Sequence, residues 1–505
     1  KDQTIEADVV VVGSGAGGAT SANIFAEAGL KVLILEAGSL NTSDHFKELD
    51  EARAYAELYQ EGGGRATSDG AVAIFQGRTV GGSTTVNWTT SLRTPDNTLH
   101  HWEQVHGVSG LNGKTLAPWF EQNEAALNIS PWAAPANKNN AALASGCESL
   151  GYNYAVIPRN VKGCWDLGYC GLGCPTNAKQ SMLVTRIPAA LQKGATLIHR
   201  IKAERIEHDG EKVTSLLARP LKADAKTPTG AKLTIKAKHY VLAGGAMNNP
   251  ALMLRSELPD PYRTLGARTT IHPVNVSLGM MGKKVDGFWG APQSVYSDEF
   301  LWNDAADEMG YKLEAAPVLP GLTSMSFGGK GQILTERMTR LPEAQQMLAL
   351  MRDGFHEQSP GGQVSIDSSG SPVLDYELSD FTMDGLRRAF LSMAEIQFAA
   401  GAKSVIPSHL EASEYNSWDA AKAAINDFEY RKFKVTLFSA HVMGGCAMGD
   451  DPRISVVNSA GGHHQLSGLS VLDGSLFPTS LGVNPQLSIY AITSKLATEL
   501  ALKLE

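Results

Sequence analysis

The sequence of 505 residues has few cysteines, no excess of basic over acidic residues and no long hydrophobic runs. Five cysteines are too few, and odd in number, for a secreted domain held by disulfides. This count favours the cytoplasm over the periplasm, although the compartment stays open. No run is long and apolar enough to span a bilayer, so no transmembrane segment is expected. The net charge is −8, whereas nucleic-acid binding requires a basic surface, so no nucleic-acid partner is expected.

The most informative pattern that is present lies near the N-terminus. An aliphatic run at 7–12 predicts a buried strand, residues 16–28 predict a helix, and residues 31–36 predict a second strand. The turn between the first strand and the helix has the pattern G-x-G-x-x-G at Gly13, Gly15 and Gly18. Such glycines permit a tight turn, close approach of a pyrophosphate and close helix packing. Because Glu36 ends the second strand, its carboxylate can accept hydrogen bonds from ribose hydroxyls, and the unit is predicted to bind a dinucleotide.

Strand-like runs recur much later, at 239–245 and 469–473. The chain is therefore predicted to be an α/β protein with a discontinuous Rossmann-like cofactor domain. Turn-separated strands near 362–367 and a helix over 384–400 predict a second, substrate-binding lobe of mainly antiparallel sheet backed by helices. The predicted ranges are 1–100, 160–275 and 431–505 for the cofactor domain, and 101–159 and 276–430 for the lobe.

Four separated motifs resemble the glucose–methanol–choline (GMC) oxidoreductases, nearest the cholesterol oxidase and long-chain alcohol oxidase branches. The motifs are a first signature at 77–87, a degraded second signature at 245–257, the segment 170–180, and C-terminal blocks at 439–444 and 473–485. In the second signature, Asn249 and Glu257 stand where the family usually has a hydroxyl residue and a glycine. The resemblance implies an FAD-dependent enzyme that oxidises an alcohol to an aldehyde or ketone.

The same resemblance carries over a set of FAD-binding positions. The expected cofactor-binding residues are Gly13, Gly15, Gly18, Glu36, Gly81, Gly82, Ser83, Asn87, Ile201, Gly244, Asp473, Asn484 and Pro485. Some relatives attach flavin through a histidine just beyond the first signature, but His101 lies well past Asn87. FAD is therefore expected to be noncovalent, and no metal is expected.

Two residues of the C-terminal blocks are expected to carry the chemistry. Hydride leaves an alcohol carbon readily only if the hydroxyl proton also departs, and a neutral imidazole with a pKa near ~6.5 accepts protons near neutral pH. His441 is predicted to be this base, with hydride passing to flavin N5. Asn484 is predicted to hold the substrate oxygen, because an amide donates a hydrogen bond without titrating. The other notable histidines are expected to be structural or on the surface; they are His272, His356, His463 and His464.

The sequence leaves three competing functions open. Cys164, Cys170 and Cys174 are similar to the iron–sulfur segment of membrane-linked GMC dehydrogenases, although Gly163 replaces one cysteine of that pattern. A flavin-dependent lyase and a flavin-fold binding protein without redox activity are also compatible with the motifs. The expected partners of the leading function are a hydrophobic alcohol as substrate, and O2 or an unidentified quinone or cytochrome as electron acceptor.

Overall fold

The computed structural model describes residues 3–302 and 307–505 and contains two large β-sheets. The first sheet has seven strands, of which five pair in parallel. In spatial order the parallel strands are Thr196–His199, Val32–Glu36, Gln3–Val12, Leu233–Leu242 and Leu469–Val471. The remaining two strands, Val213–Pro220 and Ile201–His208, extend the sheet as an antiparallel pair.

The inner strands of the first sheet are apolar on both faces because helices cover them. All five residues of Val32–Glu36 are buried. Helix Ala16–Glu27 packs against this strand and against the C-terminal helix Gln486–Leu504. Glycine, alanine and serine make up much of the first helix, so its backbone can approach its neighbours closely.

The second sheet has eight strands and is antiparallel except for one pair. They are Val72–Ile74, Ala155–Val156, Val274–Met280, Val295–Ser297, Tyr311–Ala315, Ala344–Met351, Ser404–Pro407 and Leu437–Ser439. Helices Lys138–Leu150 and Asp380–Ala399 pack together and back this sheet. The predicted helix at 384–400 is thus present, but it begins earlier because Ser379 caps it through a hydrogen bond from the Thr382 backbone.

The predicted strand at 362–367 is present as Gln363–Ile366, but it lies outside the second sheet. It pairs with Pro372–Asp375 in a separate hairpin. A second small pair is Ile129–Pro131 with Pro158–Asn160. The remaining α-helices are Ser43–Phe46, Glu51–Leu58, Asp96–His106, Gly113–Ala126, Arg186–Gln192, Asn248–Arg255, Pro320–Phe327, Gln332–Thr339 and Trp418–Asp427. Short 3-10 helices occur at Gln60–Gly63, Gly82–Thr85, Tyr169–Leu172, Leu341–Glu343 and Gly474–Leu476.

These two sheets with their helices confirm the predicted α/β fold class. The domain ranges stay a prediction. The helices of the predicted range 101–159 pack in two different hydrophobic cores. Helix Gly113–Ala126 packs against Gln486–Leu504 in the core of the first sheet, whereas Lys138–Leu150 packs on the second sheet. The segment 101–159 therefore contributes to both cores. Within residues 3–302 and 307–505, no helix has the length and hydrophobicity needed to cross a membrane.

Candidate active site

A cavity of about 530 Å³ brings together residues from both sheets and from four distant parts of the chain. A cavity of this size is in the usual range for small-molecule and cofactor sites. Most of the predicted site residues line it, namely Gly13, Gly15, Glu36, Gly82, Ser83, Asn87, Ile201, Gly244, His441, Asp473, Asn484 and Pro485. The two predicted residues outside its lining are Gly18 and Gly81.

The glycine-rich turn is shaped by close backbone contacts. Gly13 has a φ of +105°, and a Cβ at this position would lie 2.3 Å from the Ala243 carbonyl oxygen. A Cβ on Gly18 would lie 2.0 Å from the Gly13 carbonyl oxygen, so this glycine serves packing rather than the cavity. Gly17, which the motif does not single out, is equally constrained: its Cβ would lie 1.9 Å from the Leu472 carbonyl oxygen.

The N-terminus of helix Ala16–Glu27 faces the cavity without an acceptor of its own. Its N-cap residue is Gly15, which makes no side-chain capping hydrogen bond, and its first turn holds no acidic residue. The backbone N–H groups at such an end are free to bind an anion, and the helix dipole favours one. The turn is therefore chemically suited to the pyrophosphate of FAD.

Ser14 joins the turn to two other parts of the cavity. Its backbone N–H and its hydroxyl donate to Glu36 Oε2 at 3.1 and 2.6 Å, and the Gly38 N–H donates to Oε1 at 2.7 Å. Burial raises the pKa of Glu36 above its ordinary value, while these donors favour the carboxylate. The Ser14 hydroxyl also accepts from the Gly81 N–H at 3.0 Å. Gly81 thus positions the first-signature loop from outside the cavity lining, and Ser14 is a functional position that sequence reasoning missed.

The degraded second signature is explained by contacts of Asn249. The Asn249 amide oxygen accepts from the Gly244 N–H at 2.8 Å. The Asn249 amide group donates to Asp473 Oδ2 at 3.0 Å and to the Ser475 hydroxyl at 2.8 Å. Asp473 also accepts from the Gly245 N–H at 2.7 Å, although burial raises the pKa of its carboxyl group. An amide therefore replaces the usual hydroxyl residue by bridging the middle and the C-terminal parts of the cavity wall.

Glu257 occupies a position where glycine is usual in the family. The backbone conformation of Glu257 explains why glycine is favoured there. Its φ is +56°, in the left-handed region that favours glycine. The Glu257 carboxylate reaches the exposed Arg205 guanidinium at 3.2 Å, a contact that contributes little at the surface. The departure from the family pattern is thus a strained but tolerated surface position.

His441, just after strand Leu437–Ser439, contacts a second histidine. Its Nδ1 lies 2.9 Å from Nδ1 of His272, and the two rings are nearly perpendicular. Burial lowers the pKa of His441 to about 4, so its imidazole is neutral near pH 7. Burial also lowers the pKa of His272 well below its ordinary value. His272 was expected to be structural or on the surface; it is fully buried and directly contacts the predicted base.

Asn484 is held by a buried ion pair. Lys312 Nζ donates to Asn484 Oδ1 at 2.5 Å, and Asn484 Nδ2 donates to Glu314 Oε2 at 3.3 Å. Lys312 and Glu314 pair with each other at 2.5 Å, and both side chains are almost completely buried. Because an ammonium can only donate, the Asn484 oxygen must face Lys312, which leaves the amide nitrogen facing Glu314 and the cavity.

Sequence reasoning also missed this ion pair. Lys312 and Glu314 lie two residues apart in strand Tyr311–Ala315, so they share one face of the sheet. Burial lowers the pKa of Lys312, and the neighbouring carboxylate opposes that shift. Two opposite charges at this spacing inside an otherwise apolar strand were the available signal.

Apolar side chains share the lining of the cavity with His441. Val274 follows His272 by two residues, and Phe438 precedes His441 by three. Trp88, Leu348 and Leu350 complete this apolar wall, and all five belong to one hydrophobic cluster. The chemistry-bearing groups therefore adjoin a surface that favours an apolar molecule.

The cysteine segment is fastened to the first-signature loop by one buried lysine. Lys179 Nζ donates to the carbonyl oxygens of Thr85 and Asn87, both at 2.8 Å, and of Cys170 at 2.6 Å. Burial lowers the pKa of Lys179 to about 8. Cys164, Cys170 and Cys174 are free thiols. No group of three or more His, Cys, Asp or Glu side chains in the described part of the chain could hold a metal, so the iron–sulfur hypothesis gains no support.

Comparison with known proteins gives matches over most of the chain. Residues 55–274 and 358–493 match the N-terminal and C-terminal family models of the GMC oxidoreductases, and residues 8–46 match the family model of an FAD binding domain. A GMC-type oxidoreductase of Mycobacterium tuberculosis is 32% identical over 499 residues, which cover 98% of this chain and 76% of that protein. Long-chain-alcohol oxidase FAO4B of Arabidopsis thaliana is 29% identical over 523 residues, which cover 99% of this chain and 68% of that protein.

Solved structures share the fold at low sequence identity. Formate oxidase superposes with a TM-score of 0.71 at 15% identity, covering 99% of both chains. Pyridoxine 4-oxidase from Mesorbium loti superposes with a TM-score of 0.70 at 18% identity, covering 97% of this chain and 98% of that one. At these identities the likeness concerns the fold.

Proposed function

Since this chain belongs to the GMC oxidoreductase family and is an FAD-dependent oxidoreductase, we propose that it oxidises a hydrophobic alcohol to an aldehyde or ketone. The observation that carries this proposal is the single cavity that joins the glycine-rich turn to His441 and Asn484. The apolar wall of Trp88, Val274 and Phe438 supports an apolar substrate. Similarity to the long-chain-alcohol oxidases points to the same class.

The residues of this chain divide the proton chemistry between them. His441 accepts the hydroxyl proton of the alcohol, because its imidazole is neutral near pH 7 and its Nδ1 is already committed to His272. Its Nε2 is the nitrogen left to act as base. Asn484 Nδ2 donates to the substrate oxygen and so holds the alcohol in one orientation. Bound FAD supplies the hydride acceptor, so the carbon that loses hydride becomes a carbonyl.

The residues present fit FAD at the other end of the cavity. The uncapped N-terminus of helix Ala16–Glu27 would hold the pyrophosphate, and Glu36 would accept from the ribose hydroxyls. Ser83 and Asn87 of the first-signature loop and Asp473 line the intervening wall. The remaining predicted contacts, among them Ile201, Gly244 and Pro485, belong to the same lining.

We further propose that FAD is held noncovalently. His101, the candidate for attachment, lies in helix Asp96–His106 and packs against Phe355 and His106, outside the lining of the cavity. Acid precipitation should therefore release all the flavin into the supernatant. Flavin that stays with the precipitate would contradict noncovalent binding.

The proposed function is tested by anaerobic reduction of the flavin. Purified holoenzyme is mixed with long-chain primary, aromatic and steroid alcohols while the visible flavin absorbance is followed. Bleaching by one class supports alcohol oxidation and identifies the substrate class, and readmitted air distinguishes O2 from another acceptor. A yellow protein that no alcohol bleaches would contradict the proposal.

A further inference from the structure

The contact between the Nδ1 atoms of His441 and His272 is a hydrogen bond that contains a single hydrogen. The two Nδ1 atoms lie 2.9 Å apart, so one must donate and the other must accept. Full burial disfavours a charge on His272, so it is neutral with one ring hydrogen. The tautomer of each imidazole is therefore coupled to the tautomer of the other.

Only one of the two arrangements leaves His441 able to act as a base. If His272 donates, His441 carries its hydrogen on Nε2 and has no free lone pair to offer the alcohol. If His441 donates from Nδ1, its Nε2 lone pair is available. We propose that His272 is a positioning residue that accepts the Nδ1–H of His441 and thereby keeps Nε2 of His441 unprotonated. This inference rests on the proposed role of His441 as the base.

The backbone holds the two histidines in register. Thr270 and Met443 exchange backbone hydrogen bonds of 2.8 and 2.9 Å, and each lies two residues from one of the histidines. Behind His272, the Ile271 N–H donates to the buried Asp353 carboxylate at 3.1 Å. The imidazole pair is thus built on a fixed support, as a group that orients a catalytic base must be.

In the proposed arrangement the ring hydrogen of His272 lies on Nε2, which has no hydrogen-bond partner among the described residues. This buried N–H costs free energy, which the hydrogen bond that His272 accepts from His441 must offset. The charged groups that act on His441 are Glu314, which favours its protonation, and Lys312, which opposes it. After His441 takes the alcohol proton, its Nδ1–H already has an acceptor in His272, so the imidazolium form needs no rearrangement.

Substitutions of His272 distinguish a role as hydrogen-bond acceptor from a role in packing alone. His272→Asn offers an amide oxygen that can accept, whereas His272→Phe fills the site without an acceptor. We expect His272→Phe to lower the limiting rate of anaerobic flavin reduction roughly 10- to 100-fold, the range known for the loss of groups that orient metal-bound histidines. The alcohol concentration at half-maximal rate should stay unchanged. His272→Asn should recover most of the rate, and the control His356→Phe, outside the cavity, should match the unsubstituted protein.

A measurement independent of activity tests the tautomer directly. In FAD-loaded protein with 15N-labelled histidine, the ring nitrogen shifts report which nitrogen of His441 carries hydrogen, with His441→Gln used for assignment. The proposal predicts protonation at Nδ1. Protonation at Nε2 in the unsubstituted protein, or an unchanged reduction rate in His272→Phe, would overturn it. If no alcohol reduces the flavin, the proposed function fails while the 15N shifts still decide the role of His272.

Discussion

The two ends of the cavity are built by different means. At the cradle end, Gly13, Gly17 and Gly18 shape the site through backbone, because a Cβ added at any of them would collide with a carbonyl oxygen. At the reaction end, His441 and Asn484 are held by side chains from distant segments, chiefly His272 and Lys312. A backbone cradle tolerates almost no change of shape, whereas a side-chain network depends on the chemical identity of each partner.

The largest effect expected from this contrast is at Gly17. In Gly17→Ala the new Cβ would lie 1.9 Å from the Leu472 carbonyl oxygen and 2.8 Å from Asp473 Cα. The helix that contains Gly17 would therefore have to move away from the segment that contains Leu472 and Asp473. We expect no FAD-loaded protein from this variant, as measured by the ratio of flavin absorbance to protein absorbance.

Gly15→Ala is the matched control for that substitution. Gly15 has ordinary helix N-cap torsions, and its Cβ would meet only Gly82 Cα, at 3.8 Å. The variant should fold and retain measurable FAD, with weaker affinity because the methyl group is added at the cavity wall. Equal flavin content in both variants would contradict the claim that backbone collision makes Gly17 indispensable.

A smaller but still large effect is expected at the reaction end from Lys312→Met. The substitution leaves Glu314 buried without its counter-ion and frees the Asn484 oxygen, which should cost about 3–5 kcal/mol in the free energy of unfolding. Denaturant unfolding of the FAD-loaded protein measures this loss.

The double variant Lys312→Met/Glu314→Gln sharpens the test. It removes both charges, so most of the lost stability should return, while alcohol-dependent flavin reduction should be slower than in the unsubstituted protein because the Lys312 donor to the Asn484 oxygen is missing. A double variant as unstable as Lys312→Met would show that the cost does not come from the unpaired charge.

The smallest expected effect is at Glu257, outside both ends. Glu257→Gly relieves a left-handed backbone at φ +56° and loses only an exposed contact to Arg205. The net stabilisation should be up to about 1 kcal/mol, seen as a higher melting temperature with unchanged flavin content. A lower melting temperature would mean that the Arg205 contact outweighs the backbone strain.

Sequence reasoning succeeds where a motif dictates backbone shape. The strand–turn–helix around Gly13 and the fold class follow from local patterns, because glycine positions and aliphatic runs constrain the chain directly. Most predicted site residues line one cavity, and those beyond the glycine-rich turn were carried over from the resemblance to the GMC oxidoreductases.

The remainder depends on contacts between residues far apart in the chain. His272 precedes His441 by 169 residues and Lys312 precedes Asn484 by 172, so no local pattern pairs them. Segment 101–159 divides between two cores because its helices differ in partners rather than in composition. Asn249 departs from its motif, and only its contacts to Gly244 and Asp473 show that it serves the same wall.

We propose that His441 removes the alcohol proton at the reaction end of the cavity. The decisive measurement of this role is anaerobic single-turnover reduction of His441→Ala with the best alcohol of the panel. We predict a reduction rate lower by about two to four orders of magnitude, the usual contribution of a positioned base, with flavin content unchanged. Reduction at the unsubstituted rate would contradict the claim.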